Sequence, residues 1–289
     1  MLVYSLTAWF VLASLAQDAV TFRSSSSFIS VDAQVLNGLH TVIGLRREDF
    51  RIWDNGAPQA IASFGTEDQE LDVILMLDVS QSTGLIQESI KSSAVQALAQ
   101  LFPRDRVGVI VFADEPLVLI PLTADRALVQ AKLSELPAGR GGTELNATVQ
   151  VAGRYLAQHA RPGARRAIVM MSDNQGYPSV SDQAVRNDLW TTNVVFNLLL
   201  FPAKGARREA DVRQFAKATG GEVLPYRTTG VPLAELLQRL RQRYSLLYLS
   251  PTGQPGETRQ LRVELSPEAK RRFRQAKVRA RTGYRVTGP

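Results

Sequence analysis

The feature that most constrains the fold is Leu71-Asp72-Val73-Ile74-Leu75-Met76-Leu77, a run with a single polar residue. It does not alternate, so it does not read as a strand with one wet face. It reads as a strand covered on both faces, as in a parallel sheet. Comparable runs recur at Val107 to Phe112, Ala167 to Met171 and Val194 to Phe201, with a shorter one at Leu117 to Ile120. Between them apolar residues fall at helical spacing, over 84–101, 124–136, 144–159, 180–190, 208–218 and 232–243. Strands alternating with helices of this length predict an α/β domain built on a doubly wound, mostly parallel sheet.

The flanks read differently. Residues 28–36 alternate partially, and Phe50-Arg51-Ile52-Trp53 and Gln59 to Phe64 flank Asp54-Asn55-Gly56-Ala57-Pro58. Asn-Gly accepts positive φ at both turn positions, so this segment predicts a hairpin. In the tail, Leu261, Val263 and Leu265 alternate with Arg262 and Glu264, and Ala276, Val278 and Ala280 with Lys277, Arg279 and Arg281. The simplest architecture is a small β-sandwich made by 17–69 and 244–289, with the α/β domain inserted at 70–243.

Three short motifs fall where such a domain binds ligands, outside the carboxyl ends of its strands. Asp78-Val79-Ser80-Gln81-Ser82 follows the first buried run, Gly141-Gly142-Thr143 opens a helix, and Met171-Ser172-Asp173 ends a later strand. Asp78, Ser80, Ser82, Thr143 and Asp173 supply carboxylates and hydroxyls, the oxygen ligands that hard divalent cations take. They are placed to converge on one metal.

In this combination and order the motifs resemble the metal-ion-dependent adhesion site of von Willebrand factor type A domains, over about residues 70–245. The resemblance implies a Rossmann-like domain holding Mg²⁺ or Mn²⁺. Ser80, Ser82 and Thr143 would bind through hydroxyls, and Asp78 and Asp173 mainly through bound water. The open position would take an exposed Asp or Glu of a protein ligand. Gly44 to Phe50, Asp54 to Phe64 and Val278 to Tyr284 resemble a secreted bacterial group of related proteins common in acidobacteria. Two positions depart from the family pattern: Asn174 stands where Gly often follows the second Asp, and Asn146 where an Asp is often seen. The family also includes cytoplasmic accessory subunits of AAA+ ATPases, an alternative role in assembly or metal insertion.

Composition bounds the chemistry. The 289 residues contain no Cys and two His, which removes disulfides, thiolate metal sites and multi-His centres. There is no G-x-x-x-x-G-K-[ST] or G-x-S-x-G, so neither a P-loop nor a serine hydrolase is indicated, and a binding module rather than an enzyme is expected. His40 and His159 read as structural, Asp114-Glu115 as a turn, and Trp53 and Trp190 as packing residues. Residues 1–150 carry 10 basic and 17 acidic side chains, net −7; residues 151–289 carry 24 and 10, net +14. The basic run Lys270 to Arg274, with Lys277, Arg279 and Arg281, has only Phe273 and Tyr284 as nearby aromatics, so it reads as a solvated strand face and not a nucleic-acid surface. Peripheral contact with an anionic envelope and a monomeric state are expected.

Leu2 to Ala16 is uncharged and ends in Ser14-Leu15-Ala16 before Gln17-Asp18. This resembles the apolar region and cleavage site of a signal peptide at 1–16, without its basic start. An exported protein follows, periplasmic, secreted or surface-bound.

Overall fold

The computed structural model describes residues 28–66, 69–136, 141–202, 209–227, 231–251 and 253–287. The expected signal segment at 1–16 lies outside the described residues. Among the described residues no helix is long and apolar enough to cross a membrane.

The chain begins with β1 (Phe28–Asn37), β2 (His40–Thr41), β3 (Phe50–Asp54), β4 (Ala57–Gln59) and β5 (Ile61–Gly65). The predicted hairpin is β3–β4, turned by Asn55 and Gly56 at φ 46 and 82°. Its second arm ends at Gln59, and β5 leaves for another sheet.

The α/β part follows as β6 (Leu71–Asp78), α1 (Gln87–Ala97), β7 (Arg106–Phe112), β8 (Pro116–Thr123), α2 (Arg126–Ser134), α3 (Asn146–His159), β9 (Arg165–Ser172), α4 (Asp182–Thr191), β10 (Val194–Leu200), α5 (Arg213–Thr219), β11 (Val223–Pro225) and α6 (Val231–Arg241). The six strands are ordered β11-β10-β9-β6-β7-β8. Five run parallel and β8 runs antiparallel at the edge. The expectation of a mostly parallel sheet holds for five strands, and the antiparallel β8 makes the sheet mixed. A tight connection after β7 leaves no room for a crossover helix, so β8 returns as a hairpin partner.

Why β6 shows no alternation is now plain. Val73, Leu75 and Leu77 pack on one face with Ile90 and Ala94 of α1, Leu133 of α2 and Leu237 of α6. Ile74 and Met76 pack on the other with Val149 and Leu156 of α3, Leu189 of α4 and Phe215 of α5. Every β6 side chain is buried.

The predicted helix over 84–101 is shorter than expected. Gln81–Ile86 is a 3₁₀ turn and α1 starts only at Gln87. The cause is local: the Thr83 hydroxyl donates to the carbonyls of Asp78 and Ser80, at 2.8 and 3.0 Å, and so competes with a regular helix start.

The tail supplies β12 (Tyr244–Leu249), β13 (Thr258–Leu265), α7 (Pro267–Arg272), β14 (Ala276–Arg279) and β15 (Gly283–Arg285). With the first five strands these form two antiparallel sheets. One is β14-β1-β12-β5 with β2 beside β1; the other is β15-β13-β3-β4. Val31, Val35, Leu246 and Tyr248 of the first share an apolar core with Phe50, Ile52, Leu261 and Tyr284 of the second.

The basic tail is exposed as expected at Lys270, Arg271, Arg272, Arg274, Lys277 and Arg279, the last two alternating with half-buried Ala276 and Val278 on β14, while Lys270 to Arg272 lie on α7. Arg281 is the exception: it is buried and donates to the carbonyls of Ser30 and Trp190. Arg165 and Arg243 are buried where β1 meets the α/β part. Arg165 binds Asp32 Oδ1 and the carbonyls of Leu240 and Arg243. Arg243 binds Gln34, the Asp32 carbonyl and the Gly220 carbonyl. Burial pushes the Arg243 guanidinium down to about 10. Part of the +14 thus ties the two parts together.

Candidate functional site

The site is built at the carboxyl ends of β6 and β9, which run side by side with Leu77 opposite Met171. Asp78 has no exposed surface. Its Oδ1 accepts the Ser80 backbone N–H at 3.0 Å, and its Oδ2 accepts the Ser172 hydroxyl at 2.6 Å. The first of these bends the chain so that Ser80 and Ser82 face the same way, their Oγ atoms 3.1 Å apart.

Burial pushes the Asp78 carboxyl up to about 6; hydrogen bonds from Ser172 and Ser80 oppose the rise, and the Asp173 charge adds to it. Among the described residues no basic side chain hydrogen-bonds to Asp78; the Ser172 hydroxyl and the Ser80 backbone N–H hold its charge.

Thr143 reaches the same place from a loop fixed on both sides. The Gly142 N–H donates to Asp114 Oδ1 at 2.8 Å. Gly141 has φ +83°, and a Cβ there would stand 1.8 Å from Asp114 Oδ2. The backbone conformation and the carboxylate both require glycine. On the other side Tyr177 N–H donates to the Thr143 carbonyl at 3.1 Å. A Cβ on Gly176 would lie 2.2 Å from that carbonyl, so this glycine is fixed by close approach.

Asp173 is buried at the end of β9, its Oδ1 accepting the Gln175 N–H. The next residue, Asn174, has φ +55°, a conformation that Asn tolerates better than most residues. Its side chain donates to Asp211 and accepts from the Val212 N–H, binding the loop to the start of α5. Asn146 is buried and donates to the Val180 carbonyl and Asp182, each at 2.8 Å. Its Oδ1 is buried without a hydrogen-bond partner.

Ser80, Ser82 and Thr143 line one open pocket of about 430 Å³, with Gln81, Gln175, Tyr177 and Glu209 around them. Asp78 and Asp173 are not on that wall; they lie beneath it. Among the described residues no group of three or more His, Cys, Asp and Glu comes together.

Sequence reasoning left four contributors unassigned. Ser172 joins the two strands through Asp78, Asp114 holds the glycine loop, and Glu209 puts a carboxylate on the rim. Glu144 accepts the Ser179 and Thr148 N–H groups and so fixes the entry to α3. Only Ser172 carried a usable signal, because it sits between the two strand-end residues already singled out.

The description of the von Willebrand factor type A domain matches residues 73–175. This part of the chain is similar to von Willebrand factor type A domains. Among solved structures, a von Willebrand factor type A protein from Catenulispora acidiphila aligns at TM-score 0.51 and 14% identity, covering 92% of this chain and 76% of that one. Proximal thread matrix protein 1 from the mussel byssus aligns at TM-score 0.51 and 14% identity, over 62% of this chain and 48% of its own length. At these identities the likeness is one of fold. No curated protein sequence matches the chain.

The domain places Asp78, Ser80, Ser82, Thr143 and Asp173 at one sheet edge. The donor set is all oxygen: three hydroxyls and two buried carboxylates that have no basic partner among the described residues. That chemistry fits a hard divalent cation and offers nothing to a soft one.

Proposed function

We propose that the chain is an exported protein-binding module whose von Willebrand factor type A domain holds Mg²⁺ (or Mn²⁺) with Asp78, Ser80, Ser82, Thr143 and Asp173, and binds an acidic side chain of a protein ligand. The observation that carries the proposal is the pocket wall itself, hydroxyls in front and, behind them, buried carboxylates with no cationic partner among the described residues. A bound cation would supply a positive centre open to one ligand carboxylate. The Asp78 and Asp173 charges would nearly neutralise it, and the three hydroxyls would hold it without adding charge.

Export is the second part of the proposal. It rests on the uncharged run Leu2 to Ala16 before Gln17-Asp18, and on the likeness of the flanking segments to a secreted bacterial group. Purified protein from an envelope fraction should begin at Gln17.

Isothermal titration with Mg²⁺, comparing wild type and Asp78→Ala, tests the metal. Heat of binding in the wild type and none in the variant is expected; no heat in the wild type would falsify the metal site. Capture of a partner from cell envelope should then be lost on adding EDTA. Capture that persists in EDTA contradicts recognition through the cation.

A further inference from the structure

The turn between β1 and β2 departs from ordinary turn chemistry. Asn37 pairs with His40, so only Gly38 and Leu39 span it. Gly38 has φ +63°, which a two-residue hairpin turn needs. Its neighbour in such turns is usually a polar residue. Here it is Leu39, 75% exposed, and Ile43, four residues on, is 61% exposed. These are the two most exposed large apolar side chains among the described residues.

Their backbone is nevertheless held. The Leu39 carbonyl accepts Arg239 Nη2 at 3.1 Å, and Arg239 is itself paired with Glu222 at 2.9 Å. On either side of Ile43 and Gly44, Val42 and Leu45 are buried. The Tyr244 hydroxyl donates to the Val42 carbonyl at 2.9 Å and accepts the Leu45 N–H at 3.1 Å. The exposed side chains thus stand on a fixed frame.

Gly38 also lines a pocket of about 510 Å³, with Leu36, Gln275, Lys277 and Arg279. The strand register sets its walls. Leu36 is opposite Lys277 and Gln34 is opposite Arg279, so both cations stand on one face of β14. Val278 between them packs in the apolar core. Arg279 gives one Nη1 hydrogen bond to the Gly221 carbonyl at 3.2 Å. Among the described residues no carboxylate lines this pocket.

Charge names the occupant. Two cations without a carboxylate suit an anion, and a lipid phosphate is one. An apolar side chain at the pocket's lip adds nothing toward a dissolved anion, but it can enter the acyl boundary beside a bound headgroup. Stable membrane contact takes two signals, such as apolar insertion and a basic patch. This corner carries both.

We propose that it is a membrane-docking surface: Lys277 and Arg279 hold the phosphate of an anionic phospholipid, and Leu39, with Ile43 nearby, enters the bilayer. The proposal gives the expected contact with an anionic envelope its residues. It is independent of the cation site, so its test is run in EDTA, which also removes divalent bridges to lipid.

The experiment is cosedimentation of the full chain with vesicles of phosphatidylcholine alone and of phosphatidylcholine mixed two to one with phosphatidylglycerol. Binding should favour the anionic vesicles by about tenfold or more. It should fall away at about 1 M salt, where the screening length is about 3 Å. Lys277→Gln should weaken it about fivefold, and Leu39→Ser about tenfold. Both positions are exposed, and circular dichroism establishes that both variants keep the fold. Equal binding to the two kinds of vesicle overturns the proposal, as does binding to neither, or binding that neither variant changes. Loss with Lys277→Gln but not with Leu39→Ser, together with release from the vesicles by millimolar inorganic phosphate, would make the pocket a site for the free anion and contradict the bilayer.

Discussion

Asp72 and Asp78 stand at opposite ends of one strand, and neither side chain has exposed surface. Their surroundings are opposite. Asp72 meets Arg106 and Arg161 at 2.6 and 2.7 Å, with a further N–H from the Arg161 backbone. Burial alone would raise its pKa, but the two guanidiniums hold it below the usual carboxylate range. Asp78 is buried with no cationic partner among the described residues, and burial raises its pKa. Buried carboxylates normally come paired, because an isolated buried charge is costly. At the amino end of β6 the chain supplies the partner itself. At the carboxyl end, with Asp173 adjacent, the described residues supply none and line an open pocket instead. One end of the strand is finished as structure; the other has the incomplete electrostatics expected of a place reserved for a ligand.

The largest effect expected from breaking this contrast is at the paired end. Asp72→Ala strands two arginines and should cost about 3 kcal/mol in chemical denaturation, the low end for a buried pair, because both guanidinium side chains keep part of their surface in water. A loss under about 1 kcal/mol would place Asp72 among ordinary surface pairs. The same pair fixes a pH dependence. Its folded-state pKa lies below the usual 3.8, so its stabilisation is whole above that pH and is lost as pH falls through the folded-state value. The stability gap between wild type and Asp72→Asn should therefore be constant near neutrality and shrink in acid. A gap that widens in acid contradicts the assignment.

Smaller effects belong to the open end. Ser172→Ala removes the hydroxyl that orients Asp78 and should weaken Mg²⁺ binding about 10- to 100-fold, as outer partners of metal ligands do; titration calorimetry measures it. Unchanged affinity would show that Asp78 needs no such support. Gly141→Ala forces a Cβ against Asp114 at positive φ and should destabilise by about 1 kcal/mol. Combining it with Asp114→Ala should recover the steric part of that loss and leave the part due to the backbone.

How much was legible in sequence also differs between regions. The unalternating apolar residues of β6 announced a strand buried on both faces, and Asn55-Gly56 announced the β3–β4 hairpin. Both signals lie within a few residues of what they determine. The carboxylates and hydroxyls of the open end were readable for the same reason. Asp114 was not: it acts on Gly142, 28 residues later in the chain. Nor was the burial of Arg281, which is 251 residues from its partner Ser30. The antiparallel direction of β8 carried no signal in its own residues, only in the short connection before it. Asn174 was readable as a tolerated replacement for glycine, while its bonds to Asp211 and Val212 required the fold.

The central claim is that the Asp78 end is completed by a divalent cation. Thermal unfolding of wild type and Asp78→Asn, each in EDTA and in saturating Mg²⁺, tests it most directly. In EDTA the variant should be as stable as wild type or slightly more so, because a buried uncompensated charge has been removed. Mg²⁺ at about 100 times its Kd should stabilise wild type by about 2.7 kcal/mol and leave the variant unmoved. Equal responses to Mg²⁺ in the two proteins, or no response in wild type, would contradict it.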